Sequence, residues 1–280
     1  MIGYFDAHNH LQDEWLAPHQ AEVIKTLERT GVQRWVVNGT TEADWDAVAL
    51  LAKQNSRVLP SFGLHPWYLA RRTPNWRDRL ESHLNAGSCG VGEIGLDRWM
   101  DGLDFEDQKV VFKEQLEIAV ARNLPVTIHC LKAFGALLEI LRSEKVPERG
   151  FLLHSYGGSA EMIPEFVELG AYFSFSGYFL ADKKAAKREV FRQVPVERLL
   201  VETDAPAMPL PAGLVRHPLP DSPEGRPVNH PGNIGAVYER LSVIRGMPLE
   251  ELAARVEENF TKLFGCSKSN PKSARCPDLE

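Results

Sequence analysis

The most constraining feature of this 280-residue chain is its rhythm, in which short β-branched or apolar runs alternate with longer amphipathic ones. The pattern predicts strands at Ile2–Ala7, Arg34–Asn38, Val58–Leu64, Gly90–Leu96, Val126–Ile128, Phe151–Leu153, Ala171–Phe175 and Leu199–Thr203. Helical spacing fills the intervals at Pro18–Thr30, Glu42–Gln54, Asn75–Ala86, Phe105–Arg122, Phe134–Ser143, Glu161–Leu169 and Lys184–Gln193. A further helix over Ile234–Arg245 follows a proline-rich loop, Ala205–Pro231. Strands that alternate with helices make βα units and a parallel sheet. The middles of Arg34–Asn38 and Leu199–Val201 are nearly all apolar, as expected of strands covered on both faces. Eight such units fit a closed α/β barrel, the (β/α)8 or TIM barrel, better than an open sheet. The expected organisation is one barrel domain over residues 1–265. The polar, aperiodic tail 266–280 is expected to be disordered.

Composition narrows the function classes. With 44% hydrophobic and 25% charged residues, the chain is an ordinary globular one, not a disordered, collagenous or coiled-coil protein. No apolar run is long enough to cross a bilayer, and the N-terminal residues lack a basic segment followed by a long apolar one. A cytoplasmic location with no membrane partner is therefore expected, and nothing signals an obligate protein partner. The net charge is −6, so the overall field does not steer the protein to a polyanion. Any nucleic-acid contact has to be local, through bound metal or a few lysines. Cys89, Cys130, Cys266 and Cys276 are scattered without a C-x-x-C pair, which fits reduced thiols better than a disulfide framework.

Chemistry-bearing residues collect where strands end. The first strand runs into Asp6-Ala7-His8-Asn9-His10, and the third into Gly63-Leu64-His65-Pro66. The fourth carries Gly92-Glu93-Ile94-Gly95-Leu96-Asp97, the fifth runs into Ile128-His129-Cys130, and the sixth into Leu153-His154-Ser155. The eighth ends in Glu202-Thr203-Asp204. In a (β/α) barrel the carboxyl ends of all strands face one side, where active sites are built. Side chains two apart in an extended segment point the same way, so His8 and His10 approach one ion together. Glu93, Glu202 and Asp204 are carboxylates in or next to apolar strands, which is costly unless they are paired or metal-bound. Four histidines, a Glu and an Asp exceed one tetrahedral shell and suit two ions that share a carboxylate. Glu93 is the natural bridge, because strand four lies between strand one and strands five and six. His65 lies at the same level but exceeds the ligand count, which suits a contact to a ligand residue or to substrate. His19 and His83 fall in helices and are expected to face solvent, while His217 and His230 read as loop residues.

The stretches D-A-H-N-H-L (Asp6–Leu11), G-L-H-P (Gly63–Pro66), G-E-I-G-L-D (Gly92–Asp97), T-I-H-C (Thr127–Cys130), L-H-S-Y-G-G-S (Leu153–Ser159) and V-E-T-D-A-P (Val201–Pro206) resemble those of the TatD family of metal-dependent hydrolases. The closing N-x-x-x-L-F (Asn259–Phe264) fits as well, so the resemblance runs from Ile2 to about Gly265. It implies an amidohydrolase-like barrel with two divalent cations (Mg, Mn or Zn). One ion would be held by His8, His10, Glu93 and Asp204, and the other by the bridging Glu93 with His129 and His154. It also implies hydrolysis of DNA or another phosphodiester, as a deoxyribonuclease with 3′→5′ exonuclease action. A metal-dependent ester or amide hydrolase, such as a D-aminoacyl-tRNA deacylase, is the alternative, and a metal-binding barrel without turnover ranks last.

In this scheme Asp204 and Glu93 are the catalytic residues, with Asp204 placed to accept or relay a proton. Asp6 and Glu202 share strand parity with His8 and Asp204 and are expected to point inward beside them. The family pattern H-x-R becomes His129-Cys130-Leu131, followed by Lys132. A lysine is a point donor and does not reproduce a bidentate guanidinium grip. His65 and Lys132 are accordingly the expected substrate contacts, with Arg98 and Lys183 as further candidates for phosphate. Tyr156 and Trp99 are candidates for stacking on a base, with packing as the alternative for both.

Overall fold

In the computed structural model, residues 2–87 and 90–265 are described. The expected disorder of 266–280 and the cysteines Cys89, Cys266 and Cys276 lie outside them. Eight parallel strands form one sheet in sequence order. They are β1 (Tyr4–Asn9), β2 (Val32–Asn38), β3 (Val58–Phe62), β4 (Gly90–Asp97), β5 (Val126–Leu131), β6 (Phe151–Leu153), β7 (Ala171–Ser176) and β8 (Leu199–Glu202). Between them run α1 (Gln20–Arg29), α2 (Trp45–Gln54), α3 (Trp76–Asn85), α4 (Phe105–Arg122), α5 (Phe134–Ser143), α6 (Ile163–Glu168) and α7 (Ala185–Gln193). The helices α8 (Ile234–Arg245) and α9 (Leu249–Phe264) follow. The first and last strands also meet: Asp204 N donates to His8 O at 2.9 Å and His10 N to Ala205 O at 2.8 Å. A parallel order whose ends join is a barrel, the fold that the strand–helix alternation predicts. No helix among the described residues is long and apolar enough to cross a membrane.

Local chemistry sets the element ends. Asp104 begins α4 by accepting from Glu106 N and Asp107 N, both at 3.0 Å, and Asn123 ends it in the left-handed conformation. α2 starts later than the periodicity suggests. The Asp44 carboxylate accepts from Thr40 N at 2.9 Å and Thr41 N at 3.2 Å, which folds that stretch into a turn.

The described residues pack as two compact units, one drawn from 2–37, 154–164 and 173–260, the other from 38–153, 165–172 and 261–265. In the first, Leu252, Val256 and Phe260 form a buried stripe on α9, and the Phe260 ring lies 5.0 Å from that of Phe5. Each fully buried apolar side chain of this size contributes about 1.5–3 kcal/mol. Asn259 Nδ2 donates to Val196 O at 2.7 Å and Leu199 O at 2.9 Å, tying α9 to the start of β8. In the second unit, β4 is buried along its whole length. It pairs with β5 so that Gly95 sits opposite His129. A Cβ on Gly95 would stand 1.9 Å from His129 O, so only glycine permits this approach.

The proline-rich loop is held by asparagines. Asn229 Nδ2 donates to Thr203 O at 2.9 Å, and Asn233 Oδ1 accepts from Arg216 N and His217 N, both at 2.9 Å. His230 is 5% exposed and its Nδ1 accepts from Gly232 N at 2.8 Å. Burial, followed by the neighbouring His217, lowers its pKa to about 4. The unfolded chain takes up this proton near pH 6.5 and the folded chain only near 4. The stability that the neutral ring contributes is therefore complete above about pH 6.5 and is lost as pH falls toward 4, by about 2–3 kcal/mol. His230→Asn keeps an acceptor for Gly232 N without the titration. Urea midpoints at pH 7 and pH 4.5 are expected to differ less in this variant than in the parent; equal differences would remove His230 as a source of acid sensitivity.

Candidate metal centre

The first unit gathers His8, His10 and Asp204. The backbone bonds between the end of β1 and the residues after β8 set these three side chains beside one another. His8 Nε2 lies 3.1 Å from His10 Nε2, and Asp204 Oδ1 lies 3.4 Å from the former and 3.5 Å from the latter. A triangle with such edges has its corners about 2 Å from its centre, the length of Zn–N and Zn–O bonds. Two imidazole nitrogens and a carboxylate oxygen at this spacing are the donor set that a divalent cation takes, so these residues fit a metal. Burial works against the Asp204 charge. Hydrogen bonds from His10 and His8, with the charges of His8 and His154, more than offset it and hold the carboxyl below the ordinary range.

Neighbours fix these ligands. Asp6, fully buried, accepts from Thr203 Oγ1 at 2.6 Å, Thr203 N at 2.9 Å and Asn9 Nδ2 at 3.1 Å. Burial nonetheless raises its pKa to about 7. Asp6 therefore pins β1 to the residue that follows β8. The His154 ring stacks on that of His8, centroids 4.1 Å apart, and His154 Nδ1 lies 3.6 Å from Glu202 Oε1. Glu202 accepts in turn from Ser174 Oγ, and Ser174 Oγ accepts from Ser155 N.

The second unit gathers Glu93, His65 and His129. Glu93 Oε1 is 3.1 Å from His129 Nδ1 and 3.2 Å from His65 Nε2. His129 Nε2 is 2.8 Å from Asp97 Oδ2. That contact leaves Nδ1 as the ligand atom, since a metal-binding imidazole typically gives its other N–H to a carboxylate. His65 differs. Its Nδ1 accepts from Trp67 N at 3.1 Å, so that nitrogen carries no proton and the ring proton sits on Nε2, facing Glu93. In this state His65 is a donor beside the carboxylate.

Asp97 has no assigned role in the sequence reading, yet it organises this unit. It also accepts from Trp67 Nε1 at 2.7 Å, Trp99 N at 2.5 Å and Met100 N at 3.1 Å. Burial alone would raise its pKa; hydrogen bonds from His129, Trp67 and Met100 outweigh that and lower it to about 2. The signal was parity: Glu93, Gly95 and Asp97 share one face of β4.

The remaining expectations fall out unevenly. Lys132 is exposed directly after β5, with a left-handed backbone at φ 53°. Arg98 is exposed with its guanidinium 3.9 Å above the Phe105 ring, and Lys183 is exposed. Tyr156 belongs to the core: it is fully buried, its hydroxyl donates to Ser159 O at 2.8 Å, and its ring meets Phe173 edge-on. Trp99 is 55% exposed. His83 does not simply face solvent; its ring packs on Trp45 and Phe62, and its Nε2 lies 3.0 Å from Asp46 Oδ1.

A profile of the family described as TatD related DNase matches residues 5–265. The chain is 30% identical over 263 residues to the uncharacterized metal-dependent hydrolase YabD of Bacillus subtilis, covering 93% of this chain and 98% of that protein. It is 29% identical over 269 residues to the 3′-5′ ssDNA/RNA exonuclease TatD of Escherichia coli K12, with the same shares covered, 93% and 98%. The crystal structure of YjjV, a TatD homologue from E. coli K12, superposes with a TM-score of 0.85 at 28% identity, covering 94% of this chain and 98% of that one.

Proposed function

The chain belongs to the family of TatD-related DNases, metal-dependent hydrolases, and from that premise we propose that it cleaves phosphodiester bonds in single-stranded nucleic acid, from the 3′ end. The observation that carries this reading is the pair of His–carboxylate groups, one of His8, His10 and Asp204 where β1 ends and just past β8, the other of His65 and His129 about Glu93 within β4. Family membership extends the proposal to two divalent cations, Mg, Mn or Zn, as cofactors. As the family resemblance implies, His8, His10 and Asp204 would hold one ion and His129 and His154 the other, with Glu93 as the shared ligand. Such ions supply an acidified water near neutral pH and offset charge on phosphoryl oxygens.

The protein's own groups do the rest. Asp204, kept anionic by its two histidines, takes the proton of the attacking water on a carboxylate oxygen. Asp6, Glu202 and Asp97 hold His8, His154 and His129 in place, so little reorientation is needed when substrate arrives. Lys132 offers a point charge to the phosphate, while the His65 Nε2–H is directed at Glu93. A carboxylic ester is the second reading. Leu131 favours it, because an aliphatic residue at this position removes a bidentate phosphate grip.

The deciding assay follows single-stranded DNA labelled at its 5′ end beside an aminoacyl ester. The expected result is a ladder shortening from the 3′ end, abolished by chelation and restored by a divalent cation. Ester turnover with intact DNA would transfer the conclusion to the second reading.

A further inference from the structure

The geometry points to Trp99, backed by Trp67, as a stacking platform for one unpaired nucleobase beside the scissile phosphate. Trp99 is 55% exposed and the next residue, Met100, 40%. A tryptophan buries some 150–250 Å² when it finds a partner, so one left open beside reactive groups has surface to offer. Its position is built. Asp97 Oδ1 accepts from both Trp99 N and Met100 N, while Asp97 Oδ2 takes Trp67 Nε1 and faces His129 Nε2. One buried carboxylate thus fixes the exposed ring and a proposed ligand in a common frame.

The rings themselves are continuous. The Trp67 centroid lies 4.9 Å from that of His65, 5.7 Å from that of His129 and 6.4 Å from that of Trp99, with the two indoles 34° from parallel. An aromatic path therefore leads from the histidines around Glu93 out to solvent. Bases stack on aromatic side chains regardless of sequence, since each has a π-face, and a base inside a duplex has both faces covered. The platform accordingly selects single strands, and it rests on the nuclease reading above.

The test uses the whole enzyme, with Trp99→Ala and Trp99→Phe. Binding of a dye-labelled oligothymidylate is read by anisotropy in the presence of a chelator, and KM for single-stranded DNA is read with metal. Stacking is worth about 1–3 kcal/mol per base, so Trp99→Ala is expected to raise both Kd and KM about tenfold. Trp99→Phe should recover most of that loss. An oligonucleotide abasic throughout should bind the parent and Trp99→Ala equally. Unchanged binding in Trp99→Ala, or an equal loss on abasic and duplex DNA, overturns the platform even where cleavage is normal. Trp99-dependent binding without cleavage supports the platform and defeats the nuclease reading. Absence of both binding and cleavage defeats both.

Discussion

Asp204→Asn is expected to reduce turnover about a thousandfold while leaving a folded barrel. The amide has no negative charge to set against His8 and His10, and it cannot take a proton from water. It also turns an NH₂ or a neutral oxygen toward two imidazole nitrogens that now face a carboxylate oxygen 3.4 and 3.5 Å away. The fold tolerates the change for a specific reason. Asp204 sits in the left-handed region at φ 52°, and asparagine is one of the few side chains at ease there. The checks are kcat at saturating metal and a circular-dichroism melt. Full turnover in a variant that melts like the parent would remove Asp204 from the proposed role.

Glu93→Gln is expected to show its largest effect in metal content. The glutamate is 2% exposed, and one of its oxygens faces both His129 Nδ1 and His65 Nε2. Gln keeps the volume and loses the charge that makes a shared ligand useful between two cations. Loss of a residue that merely orients a ligand costs about 10–100-fold in affinity, so loss of a ligand should cost at least about 100-fold. Dialysis followed by elemental analysis should find two ions per chain in the parent and at most one in the variant. Two retained ions would show that Glu93 is not shared.

Much of this was legible in the chain itself. Strand–helix alternation yields the barrel because each βα unit has to cover the faces of its strand, and Phe105–Arg122 emerges at its observed bounds because both caps are local. The pattern predicts only three residues of strand five, Val126–Ile128. It continues to Leu131, since pairing with β4 carries the ladder through His129. α9 went unread even though Leu252, Val256 and Phe260 share a helical stripe. It lies beyond the eighth unit, where the alternating pattern makes no demand. Asp97 stayed hidden because its role depends on register: only when Gly95 lies opposite His129 does the carboxylate two residues on meet that ring. Tyr156 against Trp99 was a question of burial, which a single sequence does not answer for an aromatic after a strand.

The clasp made by Asp6 on Thr203 joins positions 197 apart along the polypeptide. A growing chain on the ribosome thus carries His8 and His10 well before Asp204, which joins them only when the eighth strand has emerged. Synthesis is vectorial and domains fold as units, so a product that stops before the eighth strand is expected to lack this set of three side chains. The barrel's closing seam doubles as a safety catch, since these three side chains meet only once the first and last strands have joined.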